Sequence, residues 1–215
     1  MKLTRRTLLG SASAGIAATA GCLGILSGTS EFAADQAAVD EQVASDTNYV
    51  KQEPKEQTIE KTFSAAGQEK TVKVTNWVTQ YYKTLDLPIA SSQKAGVFAL
   101  ISSPKVEVVG QSFNPLKDWD ERKLAKQIQS QYEGFSVGQQ VDEFAVQILG
   151  SAKTVTKFEG TATLSGNEVD VYLLLTGAVG HESDFVVPMG IYPQEIDEQA
   201  NVTKLMRNLV HPAAE

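Results

Sequence analysis

Lys153 to Tyr192 reads KTVTKFEGTATLSGNEVDVYLLLTGAVGHESDFVVPMGIY. Within it, Lys153 to Leu164, Glu168 to Thr176 and Asp184 to Tyr192 alternate or run apolar over strand lengths, rich in β-branched and aromatic residues. The segments between them, SGNE and VGHESD, hold Gly, Asn, Asp and Ser, residues that accept tight-turn geometry. Links this short join antiparallel neighbours, so the stretch predicts a strand meander, with Ala145 to Gly150 as the strand before it.

Working outward, Gln57 to Phe63 and Thr71 to Lys83 flank SAAGQEK and predict a hairpin. In its second arm Val72, Val74, Asn76, Val78, Gln80 and Tyr82 share one face, and Thr71, Lys73, Thr75, Trp77, Thr79 and Tyr81 share the other. Ala95 to Ser102 is a continuous apolar run typical of a central strand, and Lys105 to Phe113 is expected beside it. The period changes after Phe113. Asp118 and Glu121 are spaced like a capping pair, Leu124, Ile128 and Tyr132 form a stripe, and Gly134 can close a helix over Asp118 to Glu133. Two further amphipathic helices are expected, from Phe32 to Ala44 and from Ile196 to Val210.

There is no repeat and no second composition regime, so residues 32–215 read as one α+β domain, an antiparallel sheet flanked by helices. The order of elements resembles the PsbP-like fold. A lipocalin-like β-barrel is the alternative.

The chain has 19 basic and 26 acidic side chains, a formal net charge of −7. Without Met1 to Gly21 the balance becomes 16 basic to 26 acidic, a net of −10. That argues against nucleic acid as a partner, because phosphates call for a basic footprint. A single cysteine excludes an intramolecular disulfide and any metal site built from several thiolates.

That cysteine closes the N-terminal stretch MKLTRRTLLGSASAGIAATAGC. A basic start, a weakly apolar middle rich in Gly, Ala and Ser, and small residues before Cys22 fit a removable export signal better than a membrane span. Thr4-Arg5-Arg6-Thr7-Leu8-Leu9 resembles the twin-arginine (Tat) consensus, which exports folded cargo. Thr19-Ala20-Gly21-Cys22 resembles a lipobox, with Thr19 where bacterial versions carry Leu. The expectation is a signal over residues 1–21, lipid on Cys22, a tether over 22–31, and a domain held at the outer face of the cytoplasmic membrane. An uncleaved N-terminal helix with an incidental cysteine is the alternative.

Reactive chemistry is scarce. His181 in a predicted turn and His211 after the last helix have no second His or Cys at ligand spacing, so no metal site is expected and both read as surface residues. Asp118, Asp120 and Glu121 lack the EF-hand pattern and suit a helix start instead. There is no Gly-x-Ser-x-Gly elbow and no Walker spacing, and no catalytic residue or cofactor is assigned. A carboxylate pair for hydrolysis has no sequence signature. Asn201-Val202-Thr203 is an N-glycosylation sequon on or beside the last helix, where Asn201 can also serve as a cap. Trp77 and Tyr81, on the more polar strand face, are the candidate binding patch, the other reading being that helices cover them as core.

The signal, followed by VTNWVTQYYKTL, GVFALISSPKVEVVGQSFNPL, SQYEGFSVG and FEGTATLSGNEVDVYLLLTG, resembles a family of haloarchaeal Tat-exported lipoproteins of unknown function. The resemblance implies archaeal, halophilic origin and lipid anchoring, and it carries no catalytic or ligand residues. Lysines outnumber arginines 15 to 4, unlike most proteins adapted to high salt. The expected role is non-catalytic binding of a small ligand or protein partner at the cell surface. A surface hydrolase and a structural envelope spacer are the alternatives.

Overall fold

Strands dominate the residues that the computed structural model describes, 29–65, 68–87, 90–108, 111–112 and 114–214. In chain order they are β1 (Thr29–Ala33), β2 (Ala38–Val39), β3 (Val50–Lys51), β4 (Lys55–Ala65), β5 (Gln68–Leu87), β6 (Ala90–Pro104), β7 (Glu107–Val108) and β8 (Gln111–Ser112). Then follow β9 (Phe135–Ile148), β10 (Ser151–Leu164), β11 (Asn167–Thr176), β12 (Val179–His181), β13 (Asp184–Pro193) and β14 (Leu209–Val210). The helices are α1 (Glu41–Asp46), α2 (Glu121–Gln131) and α3 (Gln199–Arg207), with a 3-10 turn over Pro115–Asp118 ahead of α2.

The meander forms, with β9 starting at Phe135 where only Ala145 to Gly150 is expected and with the short β12 inside the stretch read as a turn. β9, β10, β11 and β13 lie side by side, β13 continues to β6, and β6 to β5. The β10–β11 link is a tight turn in which Ser165 and Gly166 both take positive φ (49° and 82°), the geometry that matches the twist of a two-residue hairpin. β5 is long enough to take β4 and β3 on one edge and β6 and β1 on the other. β1 runs parallel to β5, which makes the sheet mixed.

Three expectations change. The molecule is a single domain but mainly β rather than α+β, and its sheet is open. β9 at one end and β4 at the other are not paired to each other among the described residues, so no barrel closes. Phe32 to Ala44 is not one helix. Thr29 to Ala33, including the last residues of the expected tether, joins the sheet as β1, and only Glu41–Asp46 is helical, capped by the Asp40 carboxylate accepting from the Val43 N–H. Lys105 to Phe113 does not extend beside β6; β7 and β8 form their own short ladder.

Each face of the sheet carries its own apolar layer. On one, Phe98, Leu100, Val155, Leu174, Val186 and Tyr192 pack beneath α3 (Val202, Leu205, Met206) and the segment from Ala37 to Tyr49. Gly190 lets α3 come this close, since a Cβ there would lie 2.4 Å from Val202 Cγ1. On the other face, Leu173, Leu175, Val187, Met189 and Phe158 meet α2 through Leu124, Ala125 and Ile128. The α2 cap is Asp120, accepting from the Lys123 N–H at 2.7 Å, rather than Asp118. Glu121 accepts the Gly177 N–H at 3.0 Å and fixes the helix start over the β11–β12 link.

Candidate functional site

α2 covers only part of its face. Beside it, β4, β5 and β6 leave a groove of about 1100 Å³. Its floor is the alternate-residue face of β5 from Val72 to Tyr82, joined by Ala99 and Ile101 of β6. One wall is Leu116, Trp119, Leu124 and Ile128, and Ile59 and Tyr132, each about half exposed (52% and 51%), lie at the rim. Asn114 anchors the wall: its Nδ2 donates to Ser103 Oγ (2.8 Å) and Pro104 O (2.7 Å), while its Oδ1 accepts the Leu116 N–H. Within this mainly apolar lining, Asn76 is buried and its Oδ1 has no hydrogen-bond partner. A desolvated carbonyl of that kind is costly unless something donates to it. Glu56 is the sole acidic residue among the described residues that line the groove.

The candidate patch of Trp77 and Tyr81 lies on the opposite face of β5. Tyr81 is 1% exposed, its ring meets Phe98 at 6.2 Å, and its hydroxyl accepts the Val39 N–H at 2.8 Å. Thr79 beside it donates to Ala37 O at 2.8 Å. These polar side chains bond the backbone of the segment 37–39, which covers them. Tyr81 is therefore core and not part of a binding patch, and Trp77 is half-buried on the same side. Tyr81→Phe is expected to lower the unfolding free energy by about 1–3 kcal/mol by stranding the Val39 N–H, and to leave the groove unchanged. Urea unfolding measures the first effect, and probe binding, described below, measures the second.

The two histidines are also corrected. They are not isolated surface residues: His181 Nδ1 lies 3.1 Å from His211 Nδ1, and His211 Nε2 lies 2.9 Å from Asp184 Oδ2. The side chains of His211 and Asp184 are fully buried. Asp184 Oδ2 also accepts the Asp35 N–H at 2.8 Å, while its Oδ1 has no partner. Burial pushes the Asp184 carboxyl above the usual carboxylate range, against the pull of the Asp35 N–H and His211. Twenty-seven and thirty residues separate these groups in the chain, so no local spacing announces them. The β14–β2 ladder, Leu209 to Val39 and Val210 to Ala38, places His211 beside the segment whose Asp35 N–H reaches Asp184.

Asn201 lies in α3, and its Nδ2, the atom a glycan would occupy, donates to Glu198 Oε2 at 3.0 Å. Glu198 also pairs with Lys83 at 2.6 Å in a largely buried ion pair. Asp118, Asp120 and Glu121 stand at the start of α2, as a helix-start reading expects. Arg5, Arg6 and Cys22 lie outside the described residues. No helix among the described residues is long and apolar enough to cross a membrane.

No curated protein matches this sequence. Among solved structures the chain is similar, at 12% identity and a TM-score of 0.30, to the immunity protein TplEi of the T6SS from Pseudomonas aeruginosa, complexed with an "L" peptide. The match covers 82% of this chain and 65% of that one, and a score this low carries no argument about fold or function. Residues 36–210 match the model of the family described as a domain of unknown function, DUF6517, and the chain belongs to that family.

Proposed function

We propose that this chain is a lipid-anchored, non-catalytic cell-surface domain that binds a small amphiphile in the groove beside α2, one with an apolar body and a hydrogen-bond donor. The observation that carries this reading is an apolar groove of ligand-binding size with the unpartnered Oδ1 of Asn76 buried in it. With Glu56 as the sole acid along the described lining, the groove offers no carboxylate pair, which favours binding over hydrolysis. Arg5, Arg6 and Cys22 supply the export and anchoring half of the proposal, supported by the resemblance to haloarchaeal lipoproteins and by the acidic composition, which suits salt-rich surroundings. Helices on both faces of one sheet are also consistent with a PsbP-like layout, which we propose for the architecture.

N-Phenyl-1-naphthylamine tests the groove, since it joins two aromatic bodies through one N–H donor and fluoresces when desolvated. The chain is expected to bind it saturably. Val74→Arg, a charge placed on the groove floor, should weaken binding at least about tenfold, which corresponds to about 1.4 kcal/mol, while Tyr81→Phe should not. Equal binding by Val74→Arg would overturn the groove as the site. For the anchor, mass spectrometry should find lipid on Cys22, and Cys22→Ser should release the domain from membranes. Arg5→Lys combined with Arg6→Lys should leave precursor in the cytoplasm, and normal export of that variant would refute the twin-arginine route.

A further inference from the structure

We propose that His181, His211 and Glu182 form a binding site for a divalent transition-metal ion of the zinc class, with Asp184 as the positioning residue behind it. One nitrogen from each imidazole and one Glu182 oxygen lie within 4.8 Å of one another. Two imidazoles and a carboxylate are the donor set of open zinc sites, in which a water takes the fourth position. Imidazole with carboxylate also suits this class of ion better than calcium or magnesium, which prefer all-oxygen shells.

The geometry is close to what binding needs. In a tetrahedral site with metal–nitrogen bonds of about 2.0–2.1 Å, two ligand nitrogens stand roughly 3.3 Å apart. The two Nδ1 atoms are already at 3.1 Å, so they need to part by only a few tenths of an ångström to admit an ion. His211 is set for this by its other nitrogen. With the Asp184 carboxylate as acceptor, Nε2 carries the hydrogen and Nδ1 presents its lone pair to His181. A buried carboxylate that holds the far side of a ligand imidazole is the common outer-shell arrangement in metal sites. Access and rigidity are also provided. His181 is half-buried and Glu182 exposed, so one side opens to solvent. The turn that carries them is tied down by Lys105, whose Nζ donates to Glu182 O (2.6 Å) and whose N–H donates to Ser183 O (2.8 Å).

The site is independent of the groove. Asp184 shares the β13 face of Val186, which packs in the layer under α3, whereas the groove opens on the face of Val187 and Met189.

The test uses the full chain, purified without a polyhistidine tag and stripped with a chelator, then titrated with Zn²⁺ by calorimetry, with metal content read by mass spectrometry. About one equivalent should bind with micromolar or tighter affinity. His181→Gln and Glu182→Gln replace side chains outside the core and should each weaken binding at least about tenfold without loss of the folded circular-dichroism spectrum. Asp184→Asn should weaken it about 10–100-fold, as removal of an outer-shell carboxylate does. Binding no tighter than millimolar, or equal binding by His181→Gln, would overturn the site and leave the two imidazoles as a hydrogen-bonded pair. Because N-phenyl-1-naphthylamine binding should persist in His181→Gln, failure here and failure of the groove are separate results.

Discussion

Replacing Phe98 with Ala is expected to lower the unfolding free energy by about 3–5 kcal/mol. Phe98 is fully buried in the middle of β6, between β5 and β13, and packs in the layer that also holds Tyr81, Tyr192, Val202, Leu205 and Met206. These neighbours belong to two strands, β5 and β13, and to α3, so they cannot move in together to fill the space that the ring leaves. The loss therefore combines the transfer energy of the side chain with a cavity that does not collapse. Urea unfolding of the variant should show an earlier midpoint with an unchanged denaturant slope. Val50→Ala is the control: Val50 is 64% exposed on the short β3, and its truncation should change stability by less than about 0.5 kcal/mol. A Phe98→Ala loss as small as that of Val50→Ala would mean that β6 is not central.

β10, β11 and β13 were legible because alternation and turn chemistry agree there, whereas β9 begins at Phe135, ten residues before the expected Ala145, and β12 falls in the stretch VGHESD that reads as a turn. Ser165, Gly166 and Asn167 form the kind of turn that the flanking strands require, and a one-residue slip would move Leu173 and Leu175 together from the layer under α2 to the layer under α3. Elements of two residues were not legible. β2, β3 and β14 are too short to carry a period, yet the β14–β2 ladder ties the chain's last strand to the segment that follows β1. Phe32, Val39 and Val43 fall at helical spacing, but β5 offers a free edge at Thr71 to Thr75 beyond the end of β6. Pairing that edge with β1 satisfies more backbone than a lone helix turn would.

The groove was half legible. The two faces of β5 divide as the alternation predicts, but the more polar face is the covered one. Composition misleads here because Thr79 and Tyr81 direct their hydroxyls to Ala37 and Val39, so their polarity is consumed internally. Val72, Val74 and Val78, which look like core residues, line open space beside α2, which packs on Leu173, Leu175, Val187 and Met189 and leaves them uncovered. The histidine pair follows from chain closure alone, and nothing within a few residues of His181 or His211 signals it.

Raising the pH from 8 to 11 is expected to remove about 3 kcal/mol of stability through Tyr49 and Tyr192 alone. Both hydroxyls are pushed far above the ordinary tyrosine range. Burial is the larger cause for each, followed by the Glu198 carboxylate for Tyr49 and by Asp197 for Tyr192. Burial raises Tyr81 as well, opposed by its bond from Val39, and so it acts in the same direction. In the unfolded chain these phenols lose protons near pH 10, while in the folded chain they keep them. Above pH 10 the native state thus binds more protons than the unfolded state, and stability must fall as pH rises. Tyr49 and Tyr192 each remove about 1.4 kcal/mol of stability by pH 11, whereas below the unfolded value near pH 10 their full stability is retained. Urea midpoints at pH 8 and pH 11 measure the total. Tyr49→Phe isolates one share: whatever it costs at pH 8, the difference between the two pH values should shrink by about 1.4 kcal/mol, because one titrating phenol is gone. An unchanged difference would mean that Tyr49 ionises as freely in the folded chain as in the unfolded one, which its position between β5 and the start of α3 does not permit.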